Sequence, residues 1–129
     1  MNAEETDNEF IRRVVTRDFE GAGDLVSDDL EYDNVPIGKN IGRDVLKGFL
    51  AAMMNGIDEV EFVTHRQTHS GDTVMNERTD RFCIRGHWIE LPVAGVFVVN
   101  DDGLISLWRD YFDLATFQNA MASIAPPDA

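Results

Sequence analysis

GDTVMNERTDRFCIRGHWIE, residues 71–90, is the stretch of the sequence that decides the fold. It begins at a Gly-Asp pair and turns again at Gly86, and between these points the chain reads as one long strand. Similar β segments are predicted at about 58–69, 72–85, 87–99 and 103–112, separated by short connections that contain glycine. Because such connections favour hairpins, these four segments predict an antiparallel sheet.

Helical spacing of apolar residues marks three further segments. Residues 6–17 and 43–54 each carry one apolar stripe, which predicts two helices before the long strands. Thr6 or Asp7 is the expected N-cap of the first helix. A last helix is predicted at about 114–123, after the long strands.

The order of the segments indicates the fold class. A short strand is predicted at 29–35, and IGKNIG at 37–42 reads as a loop. Helices that come mainly before a meander of long strands are typical of an α+β domain. We expect a curved, mostly antiparallel sheet that wraps over the helices and forms a cone with an apolar pocket.

Composition limits the kind of protein this is. The chain has 129 residues, 43% of them hydrophobic, so we expect a single domain over 1–129. It carries 11 lysines and arginines against 24 aspartates and glutamates, a net charge of −13. This balance argues against nucleic acid and anionic membranes as partners, because both bind positive patches.

The single cysteine, Cys83, excludes an internal disulfide and a cysteine-rich zinc site. No run approaches the roughly 20 apolar residues that a membrane span needs. The acidic start MNAEETDNEF lacks the basic and apolar regions of a signal peptide. We therefore expect a soluble protein in the reducing cytoplasm.

Charged side chains occupy a predicted strand face that is otherwise apolar. Because side chains alternate between the two faces of a strand, Arg78 and Asp80 lie on the same face as Val74 and Phe82. Burial of an unpaired charge costs several kcal/mol, so buried charges are paired or functional.

Two other predicted strands repeat this pattern. Asp110 shares a face with Trp108 and Phe112, and Tyr32 shares a face with Asn34. Three separate strands thus place polar groups on their more apolar side, which suggests that these groups meet.

An Asp–Arg–Asp cluster of Arg78, Asp80 and Asp110 is the simplest arrangement of these charges. Arginine can bind two carboxylates at once, and a protonated aspartate beside an ionised one supplies both an acid and a base. The alternative is a structural salt bridge without chemistry, and exposure at a sheet edge would also explain Asp80 or Asp110. The pattern alone leaves these alternatives open.

Three motifs resemble one family of enzymes. NERTDRF at 76–82, SLWRDYFDLATF at 106–117 and EYDNVPIGKNIGRD at 31–44 resemble the limonene-1,2-epoxide hydrolases. This family belongs to the nuclear-transport-factor-like, SnoaL-like superfamily of cone-shaped α+β folds. The resemblance extends over about 10–117, and the WRDYFDL and E-R-x-D segments are its most specific parts.

The resemblance implies a catalytic set of Arg78, Asp80, Asp110, Tyr32 and Asn34. Asp110 would act as general base on a water that Tyr32 and Asn34 also hold. Asp80 would protonate the epoxide oxygen, and Arg78 would bridge the two carboxyls. This is hydrolysis in one step, and the sequence contains neither a G-x-S-x-G elbow nor a local signature of the covalent aspartate route.

The resemblance also implies the partners: a small lipophilic epoxide and water, no cofactor, no metal, and a second copy of the chain in a homodimer. Seven apolar side chains are expected to form the pocket wall, although side chains of this kind more often belong to plain core: Leu30, Val74, Phe82, Trp108, Phe112, Phe49 and Met53. An outer sheet side with Ile105, Leu107 and Tyr111 would suit the dimer contact.

Other functions remain open at this point. A ketosteroid-isomerase-like or polyketide-cyclase-like enzyme on the same scaffold would not need both Asp80 and Arg78. A non-catalytic member would be a ligand-binding or dimerisation module that kept a polar pocket. His65 and His69 lie about 13 Å apart along an extended strand, which is too far to share one metal ion.

Overall fold

The computed structural model describes residues 1–124. Within them the chain forms four helices: α1 (Ala3–Val15), α2 (Phe19–Gly23), α3 (Arg43–Met54) and α4 (Leu114–Ala122). The strands of the same part of the chain are β1 (Val26–Asn34), β2 (Gly38–Ile41), β3 (Glu59–Ser70), β4 (Thr73–Ile84), β5 (His87–Val99) and β6 (Ile105–Tyr111). No helix among these residues is long and apolar enough to cross a membrane.

The strands form one open, curved sheet in the order β2-β1-β6-β5-β4-β3. β1 and β6 run parallel to each other, and every other neighbouring pair is antiparallel. The hairpins predicted from the glycine-bearing connections are present between β3 and β4, β4 and β5, and β5 and β6. The α+β class with a mostly antiparallel curved sheet is therefore confirmed.

The hydrophobic core lies between the sheet and the first helices, and Trp108 of β6 is at its centre. The Trp108 ring stacks on Tyr32 at a centroid distance of 4.3 Å and on Phe97 at 5.8 Å. Phe10 of α1 meets the same ring edge-on at 5.2 Å. These offset and edge-on contacts are the preferred arrangements of aromatic rings, and they fix α1 against β6.

The first helix begins earlier than predicted, so Thr6 and Asp7 are not its N-cap. Asn2 is the N-cap: its side chain accepts from the backbone N–H of Glu5 at 2.8 Å, and Glu5 accepts from the N–H of Asn2 at 2.9 Å. This reciprocal pair is a capping box. Asp7 consequently lies inside the helix, three residues before Phe10 and on the buried face.

The segment IGKNIG and the residue Ile105 also depart from the prediction. IGKNIG is not a loop, because most of it forms β2, which pairs with β1. Ile105 does not face outward: it is fully buried, because a bulge shifts the register of β6 between its pairings with Val98 and Val99. The predicted helices at 43–54 and 114–123 are present, and Asp113 caps the latter through the N–H of Thr116.

Candidate active site

Arg78 lies at the centre of a buried charge cluster. Its Nε atom donates to Oδ1 of Asp80 at 3.0 Å. Its Nη2 atom donates to Oδ2 of Asp80 at 3.1 Å and to Oδ2 of Asp110 at 3.0 Å. Arg78 is 1% exposed, and the two aspartates are 5% exposed. One planar guanidinium group thus bridges two carboxyl groups that come from β4 and β6.

Strand register explains how β4 and β6 meet across the intervening β5. Asn76 of β4 lies opposite Gly95 of β5, and Gly95 lies opposite Asp110 of β6. Asp110 in turn lies opposite Asn34 of β1. The four residues form one row across the sheet, so their side chains emerge on one face.

Gly95 leaves the space that the cluster occupies. A Cβ atom at this position would lie 2.8 Å from Oδ1 of Asn76, 3.0 Å from Oδ1 of Asp110, and closer still to Nη1 of Arg78. Its backbone is not in the left-handed region, so the requirement for glycine here is one of space. The arginine side chain crosses β5 where a side chain would otherwise stand.

Asn76 is a third acceptor for Arg78. Its Oδ1 accepts from Nη1 of Arg78 at 2.9 Å, and its Nδ2 donates to Oε1 of Gln67 at 3.1 Å. Gln67 then donates to Oδ1 of Asn8 at 2.9 Å and to Oε1 of Glu4 at 3.2 Å. The guanidinium group is therefore connected through two amides to side chains of α1.

Tyr32 and Asn34 of β1 lie beside Asp110. Tyr32 is held by stacking on Trp108 and by an edge-on contact with Phe49 at 5.3 Å. Burial raises the pKa of the Tyr32 phenol, Asp110 adds to this rise, and a hydrogen bond with Asn34 opposes it. The phenol therefore stays neutral and can both donate and accept hydrogen bonds.

Four of the five predicted catalytic side chains line one cavity of about 100 Å³. The fifth, Arg78, is hydrogen-bonded to both aspartates that line it. The four are Tyr32, Asn34, Asp80 and Asp110. Apolar side chains complete the wall: Ile37, Phe49, Met53, Phe82, Leu91, Val93, Phe112 and Phe117. The structure thus brings all five residues together at a mostly apolar cavity.

The predicted pocket wall divides into two groups. Four of its members line the cavity, namely Phe49, Met53, Phe82 and Phe112. The other three are at most 1% exposed and belong to the core instead, namely Leu30, Val74 and Trp108. Trp108 still contacts the site, because its Nε1 atom donates to Oδ1 of Asp110 at 2.9 Å.

Burial shifts the protonation of the cluster. It raises the pKa of Asp80 to about 6, although Arg78 acts in the opposite direction. It also raises the pKa of Asp110, against the hydrogen bonds from Arg78 and Trp108. Burial alone would lower the pKa of Arg78, but the two carboxylates raise it overall, so the guanidinium keeps its charge. The cluster is neutral when one of the two carboxyls holds a proton.

A further carboxyl group, Asp7 of α1, lies close enough to interact with these charges. Asp7 is fully buried, and neither of its oxygens has a hydrogen-bond partner among residues 1–124. Burial raises the pKa of Asp7 to about 7, Arg78 opposes this rise, and Asp110 adds to it. Asp7 is therefore protonated in mildly acidic solution.

The histidines do not meet at the site. His65 contacts Oγ1 of Thr79 at 2.8 Å, and His69 contacts Glu4 at 2.8 Å. Throughout residues 1–124, no group of three or more His, Cys, Asp and Glu side chains is arranged to hold a metal ion.

Comparison with known proteins identifies the family. The model of the limonene-1,2-epoxide hydrolase catalytic domain matches residues 2–123. The chain belongs to this family. Epoxide hydrolase EphG of Mycobacterium tuberculosis is 36% identical to it over 105 residues, which cover 81% of this chain and 69% of that protein.

Solved structures agree with membership of the limonene-1,2-epoxide hydrolase family. An M. tuberculosis epoxide hydrolase described as limonene-epoxide-hydrolase-like matches with a TM-score of 0.81 and 33% identity, over 93% of this chain and 90% of that one. A Shewanella denitrificans protein, predicted to be a SnoaL-like polyketide cyclase, matches with a TM-score of 0.87 over 95% of this chain and 98% of its own. At 15% identity the latter shares the fold alone.

Sequence reasoning missed three residues in or beside this site, namely Asn76, Asp7 and Gly95. Asn76 had a usable signal, because it shares a strand face with Arg78 and Asp80. Asp7 also had a usable signal, because its helical spacing from Phe10 puts it on the apolar stripe of the first helix. Gly95 had no signal, because its role follows from pairing between strands that are distant in sequence.

Proposed function

We propose that the chain is an epoxide hydrolase that adds water to a lipophilic epoxide and releases a vicinal diol. The observation that carries the proposal is that Asp80 and Asp110 both bind Nη2 of Arg78, at 3.1 and 3.0 Å, beside a mostly apolar cavity. The family and the names of the M. tuberculosis relatives support this reaction. Water is a weak nucleophile and an alkoxide is a poor leaving group, so hydrolysis gains from a base and an acid together.

Asp110 is the general base in this proposal. It lies beside Tyr32 and Asn34, whose polar groups can hold a water molecule in the cavity. One oxygen of Asp110 accepts from Trp108 and the other from Arg78, and both bonds favour the ionised carboxylate. Asp110 therefore takes a proton from the water as the water oxygen attacks an epoxide carbon.

Asp80 is the general acid. Its pKa of about 6 lets it hold a proton in mildly acidic solution. As the new C–O bond forms, the ring C–O bond breaks and the proton of Asp80 passes to the epoxide oxygen. The diol leaves with Asp110 protonated and Asp80 ionised, and proton exchange between the two carboxyls restores the starting state. One C–O bond forms as another breaks, and only protons pass to and from the two carboxyls without net oxidation or reduction, so the proposed reaction requires no cofactor.

The cavity wall favours a lipophilic substrate. Eight of its side chains are apolar, and the polar ones are those to which the reaction assigns a role. A small apolar cavity with a few converging polar groups binds apolar molecules and orients their reactive atoms.

We also infer that two copies associate through the outer face of the sheet. Strand register places Val63, Met75 and Tyr111 on this face, and they are 38%, 53% and 45% exposed, respectively. Burial of such apolar surface in a symmetric contact would stabilise a dimer. Sedimentation of the chain as a monomer at micromolar concentration would contradict this.

A panel of epoxides tests the function directly. Cyclic terpene epoxides, aryl epoxides and straight-chain epoxides are each incubated with the purified chain, and the diols are separated by chromatography. We expect diol formation from lipophilic members of the panel and a rate at least about 100-fold lower in the Asp80→Asn variant. Absence of diol from every member would overturn the proposal.

A further inference from the structure

A second, larger cavity adjoins the catalytic one. It has a volume of about 230 Å³. Met53, Phe82 and Phe117 line both cavities, so these three side chains are the shared boundary. Every residue around the second cavity is apolar, whereas the catalytic cavity also contains the tyrosine, the asparagine and the two aspartates.

Strand geometry directs this cavity away from the acid. The face of β4 that bears Asp80 continues through Phe82 to Ile84, and Phe82 lies opposite Ile89 of β5. Four residues along a strand span about 13 Å. Gly56, after α3, and Met121 of α4 also line the cavity. The second cavity therefore lies along the sheet beyond Phe82, on the side away from Asp80.

The volumes of the two cavities indicate what the second one binds. Small-molecule sites usually enclose about 300 Å³ or more. Neither the 100 Å³ cavity nor the 230 Å³ cavity reaches this volume alone, but together they do. The catalytic cavity has room for the epoxide ring and its nearest substituents, and the rest of a larger substrate would need the adjoining space.

We propose that the second cavity binds an apolar tail of the substrate, so that the preferred substrates are epoxides that carry an extended alkyl or isoprenoid chain. This inference rests on the proposed function, because it places the epoxide at Asp80 and Asp110. Phe117 and Phe82, at the boundary, contact the tail where it leaves the catalytic cavity.

A series of straight-chain terminal epoxides measures the tail site. From epoxybutane through epoxyoctane to epoxydodecane, each added methylene that enters the cavity should raise kcat/KM about four-fold, until the space is filled. Beyond that length kcat/KM should level off or fall.

Two variants that fill the second cavity identify where the tail lies. A Cβ atom on Gly56 meets no atom within 4 Å, so Gly56→Leu begins a side chain in open space at the cavity wall. Gly48→Leu is the matched control, since a Cβ there also meets nothing within 4 Å and Gly48 lines neither cavity. Ile89→Phe is a second filling variant from the opposite wall. None of these positions lines the catalytic cavity.

We expect Gly56→Leu and Ile89→Phe to hydrolyse epoxybutane as the wild type does but to lose the gain from longer chains. Gly48→Leu should keep the wild-type dependence on length. Hydrolysis that is independent of chain length, or a dependence that survives in both filling variants, would overturn the tail site and leave the proposed function intact.

Calorimetric binding of straight-chain vicinal diols separates the two proposals. If no epoxide is hydrolysed but diol affinity rises with length and this rise is lost in Gly56→Leu, the tail site is supported and the proposed function fails. If diol affinity is also independent of length, the tail site is overturned as well.

Discussion

Gly95 and Asp110 lie opposite each other on β5 and β6, and a Cβ atom on Gly95 would lie 3.0 Å from Oδ1 of Asp110. The same atom would lie still closer to Nη1 of Arg78. The cluster therefore depends on the absence of a side chain in the strand between its members, as well as on the charged residues themselves.

Gly95→Ala should displace Arg78 or Asp110 and reduce kcat by about 100-fold or more, because a misplacement of about 1 Å has effects of this size. Overpacking should also lower the free energy of unfolding by roughly 1–3 kcal/mol. Steady-state kinetics and urea unfolding measure the two effects. Gly48→Ala, at a position on α3 where a Cβ meets nothing, is the control and should keep full activity. Full activity in Gly95→Ala would show that the cluster tolerates movement.

Asn76→Ala should lower kcat about ten-fold or more with a smaller change in KM, since Nη1 of Arg78 loses its acceptor and the bridge loosens. Asn76→Asp keeps an acceptor but adds a negative charge, which should raise the pKa of Asp80 and Asp110. In the wild type, kcat/KM should fall at high pH with a midpoint near 6, the pKa of Asp80. In Asn76→Asp this midpoint should move to higher pH. A pH profile that Asn76→Asp leaves unmoved would show that position 76 is not coupled electrostatically to the two carboxyls. Asn119→Ala, on the exposed side of α4, is the matched control.

Asp80→Asn and Asp110→Asn should each reduce kcat by about 100- to 10,000-fold, since each removes one partner of the acid–base pair. Circular dichroism should show that both variants remain folded. Asp33→Asn is the matched control, because Asp33 is also buried but pairs with Arg109 at 3.0 Å and does not line the cavity. Wild-type turnover in Asp80→Asn or Asp110→Asn would show that the substituted aspartate does not have its proposed role.

Asp7→Asn should flatten the dependence of stability on pH. The pKa of Asp7 is raised from 3.8 to about 7, so the folded state keeps a proton that the unfolded state releases in this window. The free energy of unfolding therefore falls as pH rises from about 4 to about 7, by up to about 4 kcal/mol from this group. Above that window the variant should be more stable than the wild type. Thermal unfolding across the pH range measures this, and equal slopes for both proteins would show that Asp7 titrates normally.

Much of the fold followed from local patterns. Alternation in β4 and glycine-bearing turns such as Gly86 predicted the hairpins, because side-chain period and turn chemistry are properties of neighbouring residues. The prediction of a loop at IGKNIG is wrong, because most of this segment pairs with β1 at the edge of the sheet, and this pairing overrides local preference.

In the site, too, features set by local sequence could be predicted and features set by pairing between distant strands could not. Arg78 and Asp80 could be predicted, because a charge on an apolar strand face is visible in the sequence. Gly95 could not, since its contact with Arg78 arises from registers that join residues on different strands. The burial of Ile105 likewise depends on a bulge in β6 that alternation alone does not reveal.

Hydrolysis in oxygen-18 water with enzyme in excess of epoxide tests the central claim most directly, because it follows the attacking oxygen through a single turnover. If Asp110 activates water, the diol from the first turnover carries the label, and peptides that contain Asp80 or Asp110 carry none. Label in one of these aspartates, with an unlabelled diol, would show that a carboxylate attacks the epoxide and would contradict the account.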